Sequence, residues 1–158
     1  MLPLPRLGIR SFFAGSAALG LTVFLCLSNP ELPASEALKQ AGLHGGLVVH
    51  LGCGDGTAEL RGGDSFLVHG LSTKATDIAT VRKRLQAQGG YGAVSVDLWD
   101  GKHLPYADNL VNLIVADDSA EAAEAELMRV LAPRGILLRR AGDAWRKTVK
   151  PWPEGLDQ

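Results

Sequence analysis

The sequence predicts an α/β domain with one mostly parallel sheet, and three observations carry this prediction. Short aliphatic runs alternate with stretches whose apolar residues recur at helical spacing, a pattern typical of βαβ units. One such run, residues 47–51, leads directly into a glycine-rich loop at residues 52–56. The 158 residues also suffice for one domain with an adequate core.

Five strands and three helices follow from hydrophobic periodicity and from turn and capping residues. The strands are predicted at residues 47–51, 66–71, 93–97, 110–116 and 136–138, and the helices at residues 35–43, 76–88 and 118–131. Ser35 is the candidate N-cap of the first helix, while Asp118 and Glu121 form a capping box for the third. Right-handed crossovers then give a Rossmann-like sheet with strand order 3-2-1-4-5.

Residues 1–34 are predicted to be a secretory signal peptide or a membrane anchor. Arg6 and Arg10 precede an apolar run at residues 12–27, which is short for a membrane span, and prolines follow it. A cleaved signal, an uncleaved single span and a buried helix remain alternatives. In both membrane readings the basic residues before the run place the rest of the chain outside the cytoplasm, so an exported protein is expected.

Charge and cysteine content exclude several kinds of partner. The chain has 16 Lys and Arg residues and 17 Asp and Glu residues, so it lacks the excess of positive charge that is typical of nucleic-acid-binding proteins. Cys26 lies in the apolar run, so the predicted domain at residues 35–142 holds Cys53 alone and cannot form an internal disulfide. No two candidate ligands, His103 and Asp97 included, share a helix at metal-binding spacing, and no metal site is expected.

The glycine loop has the spacing Gly52-x-Gly54-x-Gly56. Glycines allow a tight turn with positive φ and keep side chains away from a ligand that approaches the backbone. A dinucleotide-binding loop has the spacing Gly-x-Gly-x-x-Gly and leads into a full helix, whereas Gly62 and Gly63 interrupt the chain shortly after this loop. NAD is therefore disfavoured, and a tight turn without a ligand remains the alternative.

Three segments in this order resemble motifs of class I S-adenosylmethionine-dependent methyltransferases of the type 11 kind. They are Val48–Gly56, which resembles the first motif, Leu104–Asn109, which resembles a Leu-Pro-Phe-x-Asp-x-Ser segment, and Val130–Leu137, which resembles a Val-Leu-Lys-Pro-Gly-Gly turn. The resemblance covers roughly residues 36–140. It implies S-adenosylmethionine as cofactor and methyl transfer to an acceptor that the sequence does not identify.

The resemblance also implies where the cofactor would lie. The three glycines of the loop would contact its amino-acid part, Asp100 would accept from the adenine amino group, and Leu98 or Trp99 would flank the ring. Asp117 follows the fourth strand at the carboxyl edge of the sheet, where open α/β sheets bind ligands, and is a further candidate.

Two positions depart from the family pattern. His50 stands where an acidic residue commonly begins the first motif, and Ser72 stands where an acidic residue takes both ribose hydroxyls. Losing two charge-assisted contacts of about 1.5–3 kcal/mol each would weaken binding by about two to four orders of magnitude. Ser72→Asp is accordingly expected to strengthen cofactor binding. His50 itself is interpreted as a satisfied core or loop-edge residue.

These departures support an alternative function, a degenerate, non-catalytic binding or structural module of an exported protein. The predicted sheet also lacks the family's sixth and seventh strands. Residues 143–158 are assigned to a linker or to the start of a further domain, because Val149–Glu154, together with the signal, resembles the join to a quinoprotein-type β-propeller in large exported bacterial proteins.

Overall fold

The computed structural model describes residues 34–117, 120, 122–141 and 144–155. Within these ranges it contains one six-stranded sheet with the order β3-β2-β1-β4-β5-β6. The strands are β1 (Gly46–Leu51), β2 (Phe66–Ser72), β3 (Val94–Leu98), β4 (Val111–Ala116), β5 (Leu131–Ala141) and β6 (Ala144–Val149). The first five are parallel, and β6 runs antiparallel to β5. The predicted mostly parallel α/β fold is confirmed, with one strand more than predicted.

Helices cover both faces of the sheet. They are α1 (Ala34–Ala41), α2 (Ala75–Ala87) and α3 (Glu124–Val130), and two 3₁₀ turns lie at Asp55–Thr57 and Glu59–Arg61. One core packs against α1 and α2, and the other packs against α3 and the loop at residues 99–110. The central strand β1 carries aliphatic side chains toward both cores, as Val48 and Val49 show with no exposed surface. That two-sided burial explains its mostly aliphatic sequence, in which His50 is the one buried polar residue.

The glycine loop after β1 rests directly on the neighbouring strand β2. A Cβ atom at Gly70 would lie 2.8 Å from the Cβ of Cys53 and 2.9 Å from the Cγ2 of Thr57. In addition, the backbone N–H groups of Gly52 and Cys53 both donate to the carbonyl of Leu71, at 2.9 and 3.2 Å. The loop is thus held against the carboxyl end of β2.

Strand β6 was not predicted from the sequence. It forms a hairpin with β5, in which Ile136 pairs with Val149 and Ala141 with Ala144. Its sequence shows no clean alternation because it is an edge strand with mostly exposed side chains. Residues 144–149 of the segment assigned to a linker or a further domain therefore lie in the sheet.

The third helix is shorter than predicted, since it begins at Glu124. Its predicted capping residues, Asp118 and Glu121, lie outside the described residues. Within the turn motif at Val130–Leu137, the pairing of β5 with β4 is interrupted: Val111 pairs with Leu131, but Leu113 pairs with Ile136. At the amino end of the domain, α1 begins at Ala34, so Ser35 lies within the helix that it was predicted to cap.

The predicted signal or anchor falls almost entirely on residues 1–33, which lie outside the described residues. Among the helices that the structure describes, none combines the length and the apolar character that a membrane crossing requires. The assignment of residues 1–34 remains a prediction.

Candidate functional site

A cleft of about 600 Å³ opens at the carboxyl ends of β1, β2 and β3. Its lining comes from the segments that follow four neighbouring strands: Gly52, then Ser72, Thr73, Lys74 and Asp77, then Trp99, Asp100, Gly101 and Lys102, and finally Ala120. The strand order reverses between β1 and β4, and open α/β sheets bind ligands at such a point. The volume lies within the range of sites for small molecules and cofactors.

The glycine loop forms one wall of this cleft through Gly52. Its φ of 87° lies in the left-handed region that favours glycine. Gly54 and Gly56, the other predicted contacts, are not among the lining residues. A Cβ atom at Gly56 would meet nothing within 4 Å, and one at Gly54 only the Gly52 carbonyl at 4.0 Å. Open space therefore borders the loop.

His50 lies beneath the loop and has a partner at each ring nitrogen. Its Nδ1 lies 2.9 Å from the Thr57 hydroxyl, and its Nε2 lies 3.4 Å from Oδ2 of Asp117. The carboxylate favours the tautomer with the proton on Nε2, in which Nδ1 accepts from Thr57. His50 is thus a satisfied, buried histidine, as interpreted from the sequence. Asp117 faces His50 and is not among the residues that line the cleft.

Ser72 lies in the cleft at the end of β2, where the sequence placed it. Its hydroxyl donates to Oδ2 of Asp77 at 3.1 Å and accepts from the backbone N–H of Lys74 at 3.1 Å. Asp77, in the first turn of α2, also lines the cleft. Sequence reasoning missed this carboxylate, although an acidic residue one helical turn after a strand end is a signal that could have found it.

Trp99 and Asp100, the predicted contacts of adenine, follow β3 and also line the cleft. The backbone N–H of Trp99 donates to the backbone carbonyl of Ser72 at 3.1 Å, so this segment is bound to the end of β2. Oδ1 of Asp100 accepts from the backbone N–H groups of Lys102 and His103 at 2.7 and 2.8 Å. These bonds lower the pKa of Asp100, His103 contributing most, and keep its side chain ionised.

An ion pair on α3 anchors the loop that follows this segment. Oε1 of Glu126 accepts from the Leu104 N–H at 2.7 Å, and Arg129 donates to the carbonyls of Leu104 and Tyr106. Arg129 also pairs with Asp108 at 2.6 Å. Hydrogen bonds from Arg129, followed by that from Leu104, lower the pKa of Glu126 to about 2.

Glu126→Gln should therefore remove part of the acid sensitivity of the domain. Because the folded-state pKa of Glu126 is depressed from 4.5 to about 2, its stabilisation is present above about pH 4.5 and is lost as the pH falls toward 2. Urea unfolding between pH 2.5 and 6 should show a smaller loss of stability for the variant than for the wild type. Glu124→Gln, at an exposed position of the same helix, is the control; an equal flattening by both variants would contradict the assignment.

Other chemistries find little support in the described residues. They contain no group of three or more His, Cys, Asp or Glu side chains that could hold a metal ion. Burial, and secondarily the carboxylates of Asp77 and Asp117, raise the pKa of Cys53 to about 11. A buried, protonated thiol is a poor nucleophile.

Fold and cleft together define a nucleotide-type α/β domain, and comparison with known proteins narrows the class. A methyltransferase of Streptomyces halstedii, GfsG, is 34% identical over an alignment of 98 positions, which covers 57% of this chain and 35% of that protein. No protein-family model matches the chain.

Solved structures show the same fold. An S-adenosyl-L-methionine-dependent methyltransferase of Methanococcus maripaludis, described as putative, superposes with a TM-score of 0.60 at 20% identity, over 67% of this chain and 52% of that one. The [4+2]-cyclase SpnF gives 0.60 at 24% identity, over 67% and 42%. The chain has the fold of class I methyltransferases, but it spans only about a third to a half of these relatives. The cyclase illustrates that this fold alone does not determine the reaction.

Proposed function

We propose that the domain binds S-adenosylmethionine in the cleft at the carboxyl ends of β1, β2 and β3, and transfers its methyl group to an acceptor. One observation carries the proposal: Gly52 of the glycine loop after β1 and the Trp99–Asp100 segment after β3 line the same cleft of about 600 Å³. The likeness to a methyltransferase of Streptomyces halstedii supports it.

The lining residues fit the parts of the cofactor. Gly52 offers a wall without a side chain to the amino-acid part, and Trp99 offers an aromatic surface to adenine. Oδ2 of Asp100, which faces the exposed His103 imidazole at 3.5 Å and accepts no backbone N–H, can accept from the adenine amino group. Bound S-adenosylmethionine supplies an electrophilic methyl group on its sulfonium. The chain's own contribution is to hold an acceptor in line with that methyl group, a role that needs no general base.

Isothermal titration of the full chain tests the proposal. S-adenosylmethionine and S-adenosylhomocysteine should each bind with a dissociation constant tighter than about 100 μM, which corresponds to about 5.5 kcal/mol. NAD is the control ligand and should release no heat. An absence of heat at millimolar S-adenosylhomocysteine would overturn the enzyme proposal in favour of the non-catalytic module.

Export remains a separate proposal. It rests on the signal-like residues 1–34, and the further C-terminal domain rests on residues 149–154. Export would place the domain outside the compartment in which S-adenosylmethionine is made.

A further inference from the structure

We infer that Asp77 accepts the ribose hydroxyls of the bound adenosine, and so supplies from α2 the carboxylate that β2 lacks at Ser72. The inference rests on the proposed function, because it assigns a residue within the same cleft. It goes beyond the sequence reasoning, which located the ribose contact at Ser72 and counted the carboxylate as lost.

The position of Asp77 is determined by two hydroxyl donors. Ser72 donates to Oδ2 at 3.1 Å, and Thr76 donates to Oδ1 at 3.3 Å. The Ser72 oxygen also accepts from the backbone N–H of Lys74, and its single proton is donated to Asp77. The serine therefore acts as a positioning residue that holds the carboxylate beside the end of β2.

The carboxylate keeps capacity for a ligand. An ionised carboxyl group has about four acceptor sites, and the two hydroxyls occupy only two of them. No Lys, Arg or His nitrogen of the described chain forms an ion pair with Asp77 within 4 Å. Asp77 is half-buried and lines the cleft, so it presents uncompensated negative charge to it. A vicinal diol, with two adjacent O–H donors, matches such an acceptor.

The other carboxylates near the cleft are already engaged. Asp100 uses one oxygen for two backbone N–H groups, and Asp117 faces the imidazole of His50. Lys74 and Lys102 line the cleft but cannot accept a hydrogen bond. Asp77 also lies near the glycine loop, since its charge contributes to the raised pKa of Cys53. Ribose would join the amino-acid part at that loop to adenine at Trp99.

The experiment compares two ligands and two variants of the full chain by titration calorimetry. The ligands are S-adenosylhomocysteine and its 2′,3′-dideoxy form, and the variants are Asp77→Asn and Asp64→Asn. Asp64 is the matched control because it precedes β2, at the opposite edge of the sheet, and its side chain is 98% exposed. The thermal midpoint of each variant reports folding.

Asp77→Asn should weaken S-adenosylhomocysteine about 10- to 100-fold, as expected for one or two charge-assisted hydrogen bonds, and change the affinity for the dideoxy ligand less than about threefold. Asp64→Asn should change neither. If Asp77→Asn lowers the affinities for both ligands equally, or lowers neither, the assignment of Asp77 is overturned and the proposed function is not. If Asp77→Asn does not fold, Asp77→Ser takes its place: the wild type must prefer S-adenosylhomocysteine to its dideoxy form at least tenfold, and Asp77→Ser, which keeps Ser72, must reduce that preference. A wild type that binds neither ligand would overturn the proposed function as well.

Discussion

Gly52→Val is expected to lower the affinity for S-adenosylhomocysteine by at least about 100-fold while the domain remains folded. Gly52 combines a φ of 87° with a place in the cleft wall, so a branched side chain would strain the backbone and enter the space of the ligand. The strain costs about 1–3 kcal/mol, which a domain of ordinary stability tolerates. Excluded volume at the cleft, in contrast, acts directly on binding, and titration calorimetry measures that loss.

The control for this substitution is Gly42→Val. Gly42 follows α1 and has a φ of 71°, and a Cβ atom there would meet nothing within 4 Å. The change therefore introduces similar backbone strain away from the cleft, and it should lower the urea midpoint without weakening the ligand. A ligand site at the glycine loop would be contradicted if Gly52→Val left the affinity for S-adenosylhomocysteine unchanged, or if both variants lowered that affinity equally.

The central part of the fold was predictable because its local and long-range requirements agree. Strand β1 is buried on both faces, so its residues are aliphatic except for Gly46 and His50, and glycines mark the point where the chain turns out of the sheet. Alternation of strands and helices then orders the parallel strands through the handedness of their crossovers. Ser72, Trp99 and Asp100 fall on the cleft because each stands at or just after the carboxyl end of such a strand.

What could not be predicted depends on contacts between segments. Strand β6 lies at the edge of the sheet, where most of its side chains remain in solvent and pairing with β5 replaces any hydrophobic pattern. Asp117 stands at the expected edge, yet it faces His50, an arrangement that strand spacing does not reveal. Asp77 could not be predicted because it lies on α2 and not at the end of β2. Only the folded chain brings the first turn of α2 next to Ser72 at that strand end.

Ser72→Asp is expected to weaken S-adenosylhomocysteine about tenfold or more, the opposite of the effect expected from the sequence alone. Sequence reasoning treats position 72 as an empty place for a carboxylate, but the Ser72 oxygen lies 3.1 Å from Oδ2 of Asp77. A second carboxylate there replaces a hydrogen-bond donor by a like charge. The two carboxyl groups at positions 72 and 77 would either share a proton at neutral pH or move apart. Either response would lower the free energy of unfolding by on the order of 1–2 kcal/mol.

The exchange variant Ser72→Asp/Asp77→Ser separates this repulsion from a loss of fit. It moves the carboxylate to the strand end and the hydroxyl to the helix, so donor and acceptor stay paired across the same 3.1 Å contact. Because net charge is unchanged, the double variant should bind within about threefold of the wild type. If each change alone weakens binding about tenfold, this requires a favourable coupling of about 2 kcal/mol between the two changes. Calorimetry and urea unfolding at pH 8 measure both quantities. A single Ser72→Asp variant that binds more tightly than the wild type would show that the ribose contact is made at residue 72 and that Asp77 serves only to hold the end of α2.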